Sequence, residues 1–453
     1  MSTRAILLVL ACAFVPMMDA FIAGVALPGI RRDFDIAAGS ALLGLIMVGY
    51  LAGFGSLLIV GGRLGDRLGR RRVLWAAVCG FLAASMVCGL APWLPVLVVG
   101  RIVQGATAAF VMPQVLGLLT AHAGSRRDRA ISWYSSMSGL SALIGLIGGS
   151  ALLDVVGGDG AWRWLFLINV PVGVAALLLL PRLVPDTRPD ADQQIDWRGG
   201  ALLSLTVLTF LLAVSLATTS GLAAVALGVG TLLAGRAWLR QQRRSAPTAL
   251  VPARMFENPD LRWALALMLP FFAGAGGFLF ALPQTLQEGL GRTPLAAGVL
   301  TAPMALGFLV SSFTVPRIRD RLGVRTIALG AAVQGGGLAV MAGGVLTASA
   351  PVMCLALLLI GTGQGIALGA MNAHLLSLVP AELAGMGGGV LLTAQQVSIA
   401  TGTAVLGTVF GEVVQSSGHR TAMVAVLGTQ ILLAALVIAA GLRSASVRRA
   451  GRL

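Results

Sequence analysis

The chain has 453 residues, 57% of them hydrophobic and only 11% charged, with a mean hydropathy of +0.90. An ordinary soluble domain is about 25% charged, so this composition excludes a soluble or disordered protein and points to a polytopic membrane protein. The formal charge is nevertheless +15, a balance that often marks a nucleic-acid or anionic-surface partner, and the placement of the charges decides between these readings.

A bilayer-crossing helix needs about 20 mostly apolar residues. Read in chain order, such runs fall at 5–29, 40–62, 73–91, 95–120, 131–153, 163–181, 198–216, 220–239, 261–283, 295–316, 325–347, 351–373, 386–411 and 421–442. The first resembles a signal peptide at its start, but the apolar run continues past Asp19 to Pro28 and reads as an uncleaved first span. The seventh and eighth are separated only by Thr218–Gly221, and together they are too long for one tilted helix. Fourteen spans are therefore expected, with both termini in the cytoplasm.

The arginines test that topology. The chain has no lysine, and 26 of its 32 arginines fall on the cytoplasmic side, five outside and one, Arg101, within a span. This satisfies the positive-inside rule. The +15 is then a record of membrane topology, and nucleic acid is not expected as a partner. The longest polar stretches, 182–197 and 240–260, bracket spans seven and eight. They divide the chain into an N-terminal six-helix bundle (1–184), a two-helix insert with cytoplasmic linkers (185–258) and a C-terminal six-helix bundle with a short tail (259–453). No extramembrane segment is long enough for a soluble catalytic domain, and no enzyme activity is expected. Cys12, Cys79, Cys88 and Cys354 lie in apolar runs without metal-ligand spacing, so no metal site is expected.

Two basic segments repeat. Arg63-Leu-Gly-Asp-Arg-Leu-Gly-Arg-Arg-Arg72 follows span two, and Arg317-Ile-Arg-Asp-Arg-Leu-Gly-Val-Arg325 follows span ten. Once the insert is set aside, both sit between the second and third helices of their halves. Parallel halves of this kind are typical of one transporter architecture.

The first segment, with Gly62, Asp66, Arg67, Gly69, Arg70 and Arg71, resembles the signature loop of the major facilitator superfamily. Arg101-Ile-Val-Gln104-Gly105 resembles its fourth-helix motif. Asp19-Ala-Phe-Ile-Ala-Gly-Val-Ala-Leu27-Pro28 is similar to the first-helix motif of drug:proton antiporters, and Trp162-Arg-Trp-Leu-Phe-Leu-Ile-Asn169-Val-Pro171-Val-Gly173 to the sixth helix of the fourteen-helix drug:proton antiporter-2 family. The resemblance implies an all-α major facilitator fold, two six-helix bundles plus two inserted helices. It also implies a conformational latch formed by the signature loop, with Asp320 and Arg321 as its counterpart in the second half. The family's fifth-helix Gly-Pro-x-x-Gly-Gly is here Ile144-Gly145-Leu-Ile-Gly148-Gly149, so no proline kink is available and close helix packing is a rival role for these glycines.

Asp19 is the one acid well inside an apolar span. An ionised carboxylate there costs about 2.5–3.5 kcal/mol on insertion scales, so it needs a cavity, a proton or a partner. Arg101 is the matching base, at a depth within reach. The expectation is that Asp19 alternates between Arg101, a proton and a cationic substrate. Met18, Phe21, Gln114, Phe272, Gln395 and Gln396 are candidates for the substrate cavity, with Phe14, Met17 and Phe271 also available for a deformable apolar wall. The sequence thus reads as a proton-coupled secondary exporter of hydrophobic or cationic drugs or a natural product in a bacterial inner membrane. It would act as a monomer among membrane lipids, with the proton gradient rather than a cofactor as its energy source. No GxxxxGK[ST] loop for ATP occurs. The alternatives are a proton-coupled uptake carrier and, further off, a membrane sensor.

Overall fold

The computed structural model describes the backbone of residues 1–37, 40–122, 126–187, 189, 195–217, 220–244, 255, 257–379 and 384–450, and their side chains except at 41, 127–129, 131–132, 135–136, 138, 384–386 and 442–450. Thr218 at the break between spans seven and eight, and Arg188, Arg254 and Arg452 among the cytoplasmic arginines, lie outside the described residues.

Among the described residues the structure is helical, with no strand. α1 is Thr3–Asp33, α2 Ala41–Leu68, α3 Arg70–Gly89, α4 Leu94–His122 and α5 Arg127–Val156. α6 comes in two pieces, Trp162–Leu167 and Asn169–Leu183. The break is where Pro171 lacks an N–H for the Leu167 carbonyl. α7 is Trp197–Leu216, α8 Gly221–Arg244, α9 Pro259–Gln284, α10 Pro294–Leu322, α11 Arg325–Thr347 and α12 Ala350–Ser377. A last run, Ala384–Ala450, has 67 residues. As one helix it would be about 100 Å long, against an apolar bilayer core of about 30 Å. It turns at Gly418 (φ 80°, ψ 170°) into α13, 384–417, and α14, 419–450. Among the described residues thirteen helical stretches are long and apolar enough to span, the last of them this double one, which makes fourteen spans.

The helices run further than the apolar runs that reveal them. α2 continues to Leu68 and α3 begins at Arg70, so the signature segment is a helix end, one turning glycine and a helix start rather than a loop. Arginine is a good helix former and suits a helix C-terminus. The turn itself needs Gly69, at φ 96°, and its counterpart Gly323 sits at φ 58°.

The repeat extends from motif to packing. In the first half, a Cβ on Gly53 would strike the Ile102 carbonyl, and one on Gly105 the Tyr50 carbonyl. In the second half, Gly307 meets the Leu358 carbonyl and Gly361 the Met304 carbonyl in the same way. Small residues let backbones approach closely where lipid supplies no hydrophobic drive between helices. They fix α2 on α4 and α10 on α12.

The two halves meet through three helix pairs. α5 packs on α10, where Gly298 faces Ser150 and the Leu146 carbonyl; α2 packs on α13, where Gly55 faces Gln396; and α1 packs on α9, where Gly24 faces the Leu279 carbonyl. α7 lies over the α2–α13 seam: Ser204 Oγ donates to the Ser56 carbonyl at 3.2 Å, and Val207 and Leu211 share a buried cluster with Ala400 and Ala404. α8 packs on α7, and its outer face, with Leu222, Val225, Leu232 and Leu233, is exposed, as a lipid-facing helix should be.

Candidate functional site

Four helices bring polar side chains to one point inside the first half. Asp19 of α1, Ser85 of α3, Arg101 and Gln104 of α4 and Asn169 of α6 are all buried, Asp19 and Arg101 at 0% and 1% exposure. Arg101 and Gln104 are three residues apart and therefore share a helix face. Arg101 Nη1 lies 2.5 Å from Asp19 Oδ2 and donates to Gln104 Oε1 at 2.6 Å, while its Nε donates to the Ile46 carbonyl at 3.2 Å. Gln104 Nε2 donates to Asp19 Oδ1 at 3.1 Å and to Ser85 Oγ at 2.7 Å. Asn169 Nδ2 donates to Asp19 Oδ1 at 2.8 Å. The guanidinium also lies over the Tyr50 ring, 4.4 Å from its centroid, and the Tyr50 hydroxyl donates to the Pro16 carbonyl at 3.0 Å.

A buried ion pair is tolerable when further hydrogen bonds satisfy its remaining lone pairs and protons; here Gln104 and Asn169 serve the carboxylate, and Gln104 and the Ile46 carbonyl serve Arg101 Nη1 and Nε. Both carboxylate oxygens are occupied, and the carboxylate has no face toward the central cavity. In this conformation a cationic substrate would have to displace Arg101, Gln104 or Asn169 to reach Asp19. The Asp19–Arg101 contact expected from the sequence is present. Ser85 and Asn169 complete the network without having been singled out for it. Asn169 carries a signal in the sixth-helix motif; Ser85 has none beyond being polar in an apolar run.

The cavity, about 330 Å³, lies between the two halves beside this network. Of the candidates, Phe21, Phe272, Gln395 and Gln396 line it, as does Met17. Met18 does not: it faces the other way, with its backbone and side chain against Gly145 of α5. Gln114 does not either. It is buried, donates to the Gly61 carbonyl at 2.7 Å and fills the space beside Gly65, so it joins α4 to α2. Phe14 and Phe271 belong to packed clusters, Phe271 edge-on to Phe272 at 5.2 Å. Gly145 and Gly149 face α1 closely, at Phe21 and Ile22, whereas Gly148 does not. That is the geometry of helix packing.

The signature segment makes a dense set of contacts. Arg70 pairs with Asp66 at 2.5 Å and donates to the Pro113 carbonyl at 3.2 Å. The Arg70 and Arg71 amides donate to Thr187 Oγ1 and Asp186 Oδ1, each at 2.9 Å, and Arg71 Nη1 donates to the Val184 carbonyl at 3.0 Å. A Cβ on Gly69 would stand 2.9 Å from the Asp186 carboxylate. These partners lie in the first half and in the linker that directly follows it, at Asp186 and Thr187. None of these contacts reaches the second half. Asp320 and Arg321, at the equivalent turn, are exposed.

The halves are tied instead on the opposite face of the bundle. Arg31, at the end of α1, bonds Glu288 Oε1 at 2.8 Å, and His419, just after the Gly418 turn, stands 3.2 Å from Glu288 Oε2. Beside them Asp33 accepts from Arg163 and from Trp162 Nε1, each at 3.0 Å.

A helical bundle with repeated internal packing, a cavity between its halves and a buried ion pair beside that cavity is the construction of a membrane transporter. The chain belongs to the major facilitator superfamily, whose family model matches residues 9–403. It is 31% identical to the probable actinorhodin transporter of Streptomyces coelicolor, over 89% of this chain and 71% of that one. It is 34% identical to the cephamycin export protein CmcT of Amycolatopsis lactamdurans, over 90% and 86%, and 31% identical to the multidrug efflux pump LfrA of Mycolicibacterium smegmatis, over 87% and 78%. Among solved structures, a bacterial homologue of the lysosomal transporter Spinster superposes with a TM-score of 0.71 at 17% identity, over 97% of this chain and 96% of that one. A D-xylose–proton symporter superposes with a TM-score of 0.68 at 17% identity, over 95% and 96%. These two likenesses show the fold alone.

Proposed function

We propose that this protein is a proton-coupled secondary exporter of hydrophobic drugs or of a natural product, working by alternating access in a bacterial inner membrane. The observation that carries the reading is the cavity between the halves, closed on one face by Arg31–Glu288–His419 and bordered by the Asp19–Arg101 network. Of the hydrophobic and cationic substrates expected from the sequence, the cavity's chemistry supports the hydrophobic. The relatives named for export of actinorhodin and cephamycin and for multidrug efflux support the outward direction over uptake.

The functional units are 1–184, 185–258 and 259–453, with both termini in the cytoplasm, an orientation supported by the arginine distribution. The Arg31–Glu288–His419 face is then the outer one. Asp19 carries the proton and Arg101 receives the carboxylate when the proton leaves. Proton entry is worth about 2.3 kcal/mol per 100 mV of membrane potential, which supplies the work without nucleotide or cofactor. Inverted vesicles containing the protein provide the test. Accumulation of a hydrophobic dye on imposing a proton gradient, and its collapse with a protonophore, is the expected result. Accumulation that requires ATP and survives the protonophore would sink the reading.

A further inference from the structure

The second-half wall of the cavity carries three glutamines, Gln364 of α12 and Gln395 and Gln396 of α13. Gln395 Nε2 donates to Asn372 Oδ1 at 2.8 Å, which fixes its amide. Gln364 and Gln396 have no hydrogen-bond partner among the described residues. Around them the second-half wall is aromatic and aliphatic, with Phe272, Met304 and Phe308, and Tyr50 and Phe54 of α2 line the first-half side.

The charge inventory is equally specific. Asp19 is the only carboxylate well inside an apolar span of the whole sequence, and it is turned away from the cavity with both oxygens bonded. Arg101 is the only charged residue among the described residues lining the cavity, and its charge is matched by Asp19. A cation entering the cavity leaves its hydration shell and meets no free anion; an anion meets an arginine already paired. An uncharged molecule loses least on entry. Each glutamine amide offers it both a donor and an acceptor, and a site built with such groups rejects ligands that leave them unmatched.

We infer that this cavity takes an uncharged amphipathic molecule whose hydrogen-bonding groups meet Gln364, Gln395 and Gln396, and that it discriminates against ions of either sign. This rests on the export reading above and narrows its substrate class. The three glutamines sit on one wall, so the ligand presents its polar groups to the second half and its apolar body to α1 and α2. The chemistry fits a neutral aromatic compound bearing carbonyl, phosphoryl or hydroxyl oxygens.

Three probes of similar shape separate the possibilities: tetraphenylphosphonium, tetraphenylborate and the neutral triphenylphosphine oxide. Their binding is measured on the full chain in lipid nanodiscs, with empty nanodiscs as the blank for lipid partition. Triphenylphosphine oxide is expected to bind saturably and at least about tenfold more tightly than either ion, a factor below the cost of an unpaired charge in a membrane interior. Gln364→Leu with Gln396→Leu is expected to weaken it about tenfold, and Gln396→Glu to improve tetraphenylphosphonium binding about tenfold. Equal or tighter binding of either ion by the wild type overturns the inference, as does absence of saturable triphenylphosphine oxide binding. The measurement uses no gradient, so the two readings fail separately. A tetraphenylphosphonium preference with proton-driven export intact overturns this inference alone, and a neutral preference without proton-driven export overturns the export reading alone.

Discussion

Asn169 Nδ2 lies 2.8 Å from Asp19 Oδ1 and ties the break in α6 to the middle of α1. It is the third donor on a carboxylate that already receives Arg101 and Gln104, and it comes from a separate helix. A change in the charge of Asp19 is therefore felt at once by α4 and α6. Under the proposed coupling this is where a proton would become a movement of helices, because neutralising the carboxylate weakens all three contacts together.

Asp19→Asn keeps the shape and removes the charge. It leaves Arg101 buried without an anion, and removing one partner of such a pair costs about 3–5 kcal/mol. The expected results are a lowered thermal midpoint and loss of substrate-linked proton movement in proteoliposomes. Asp19→Asn with Arg101→Gln is expected to recover much of the stability but none of the proton movement. Proton movement in that double variant would remove Asp19 from the coupling.

Asn169→Ala removes one hydrogen bond to a charged group, worth about 1.5–3 kcal/mol. Asn169 does not line the cavity, so the expected loss is in proton-driven turnover, about tenfold or more, with the KM for a hydrophobic probe little changed. A raised KM at unchanged turnover would place Asn169 in substrate binding instead.

The spans were legible because apolar runs and arginines record the membrane directly, and Asp19 and Arg101 because a lone charge in an apolar run must be accounted for. What the sequence hid was rotation about helix axes. α1 is apolar on nearly every face, with Met17 and Met18 in adjacent positions about 100° apart. No hydrophobic stripe marks which one faces the cavity, and the structure selects Met17. Gln114 was misplaced for a related reason: its amide serves a backbone carbonyl of α2, and a polar residue in a span gives no sign of whether it faces protein or cavity. The signature segment was read as a loop because its charges end the apolar run, whereas helix geometry continues until Gly69 turns the chain.

The repeated glycine contacts predict paired outcomes. Gly105→Ala and Gly361→Ala each force a methyl group into a facing carbonyl, at Tyr50 and Met304, and overpacking of this kind costs about 1–3 kcal/mol. Gly44→Ala and Gly336→Ala put the same methyl where nothing lies within 4 Å, and removing a helical glycine there gains roughly 0.5–1 kcal/mol. Thermal midpoints of the four proteins in detergent should therefore fall for the first pair and hold or rise for the second. Equal effects in both pairs would mean that the close α2–α4 and α10–α12 approaches contribute little to stability.

Glu288 receives Arg31 from the first half and lies beside His419 from the other side of the Gly418 turn, so one carboxylate joins α1, the end of α9 and the α13–α14 turn. Glu288→Gln keeps a hydrogen-bonding group but removes the charge that Arg31 meets, and it weakens closure without touching the cavity or the Asp19 network. Spin labels at Leu90 and Leu346, both exposed at the ends of α3 and α11, report the opening. The variant is expected to shift the distance distribution toward longer separations, and Arg31→Gln to do the same. Because both act on one contact, the double variant should open little further than either single one. Distributions unchanged in all three variants would show that α5–α10 packing around Gly298 holds this face shut without the ionic contact.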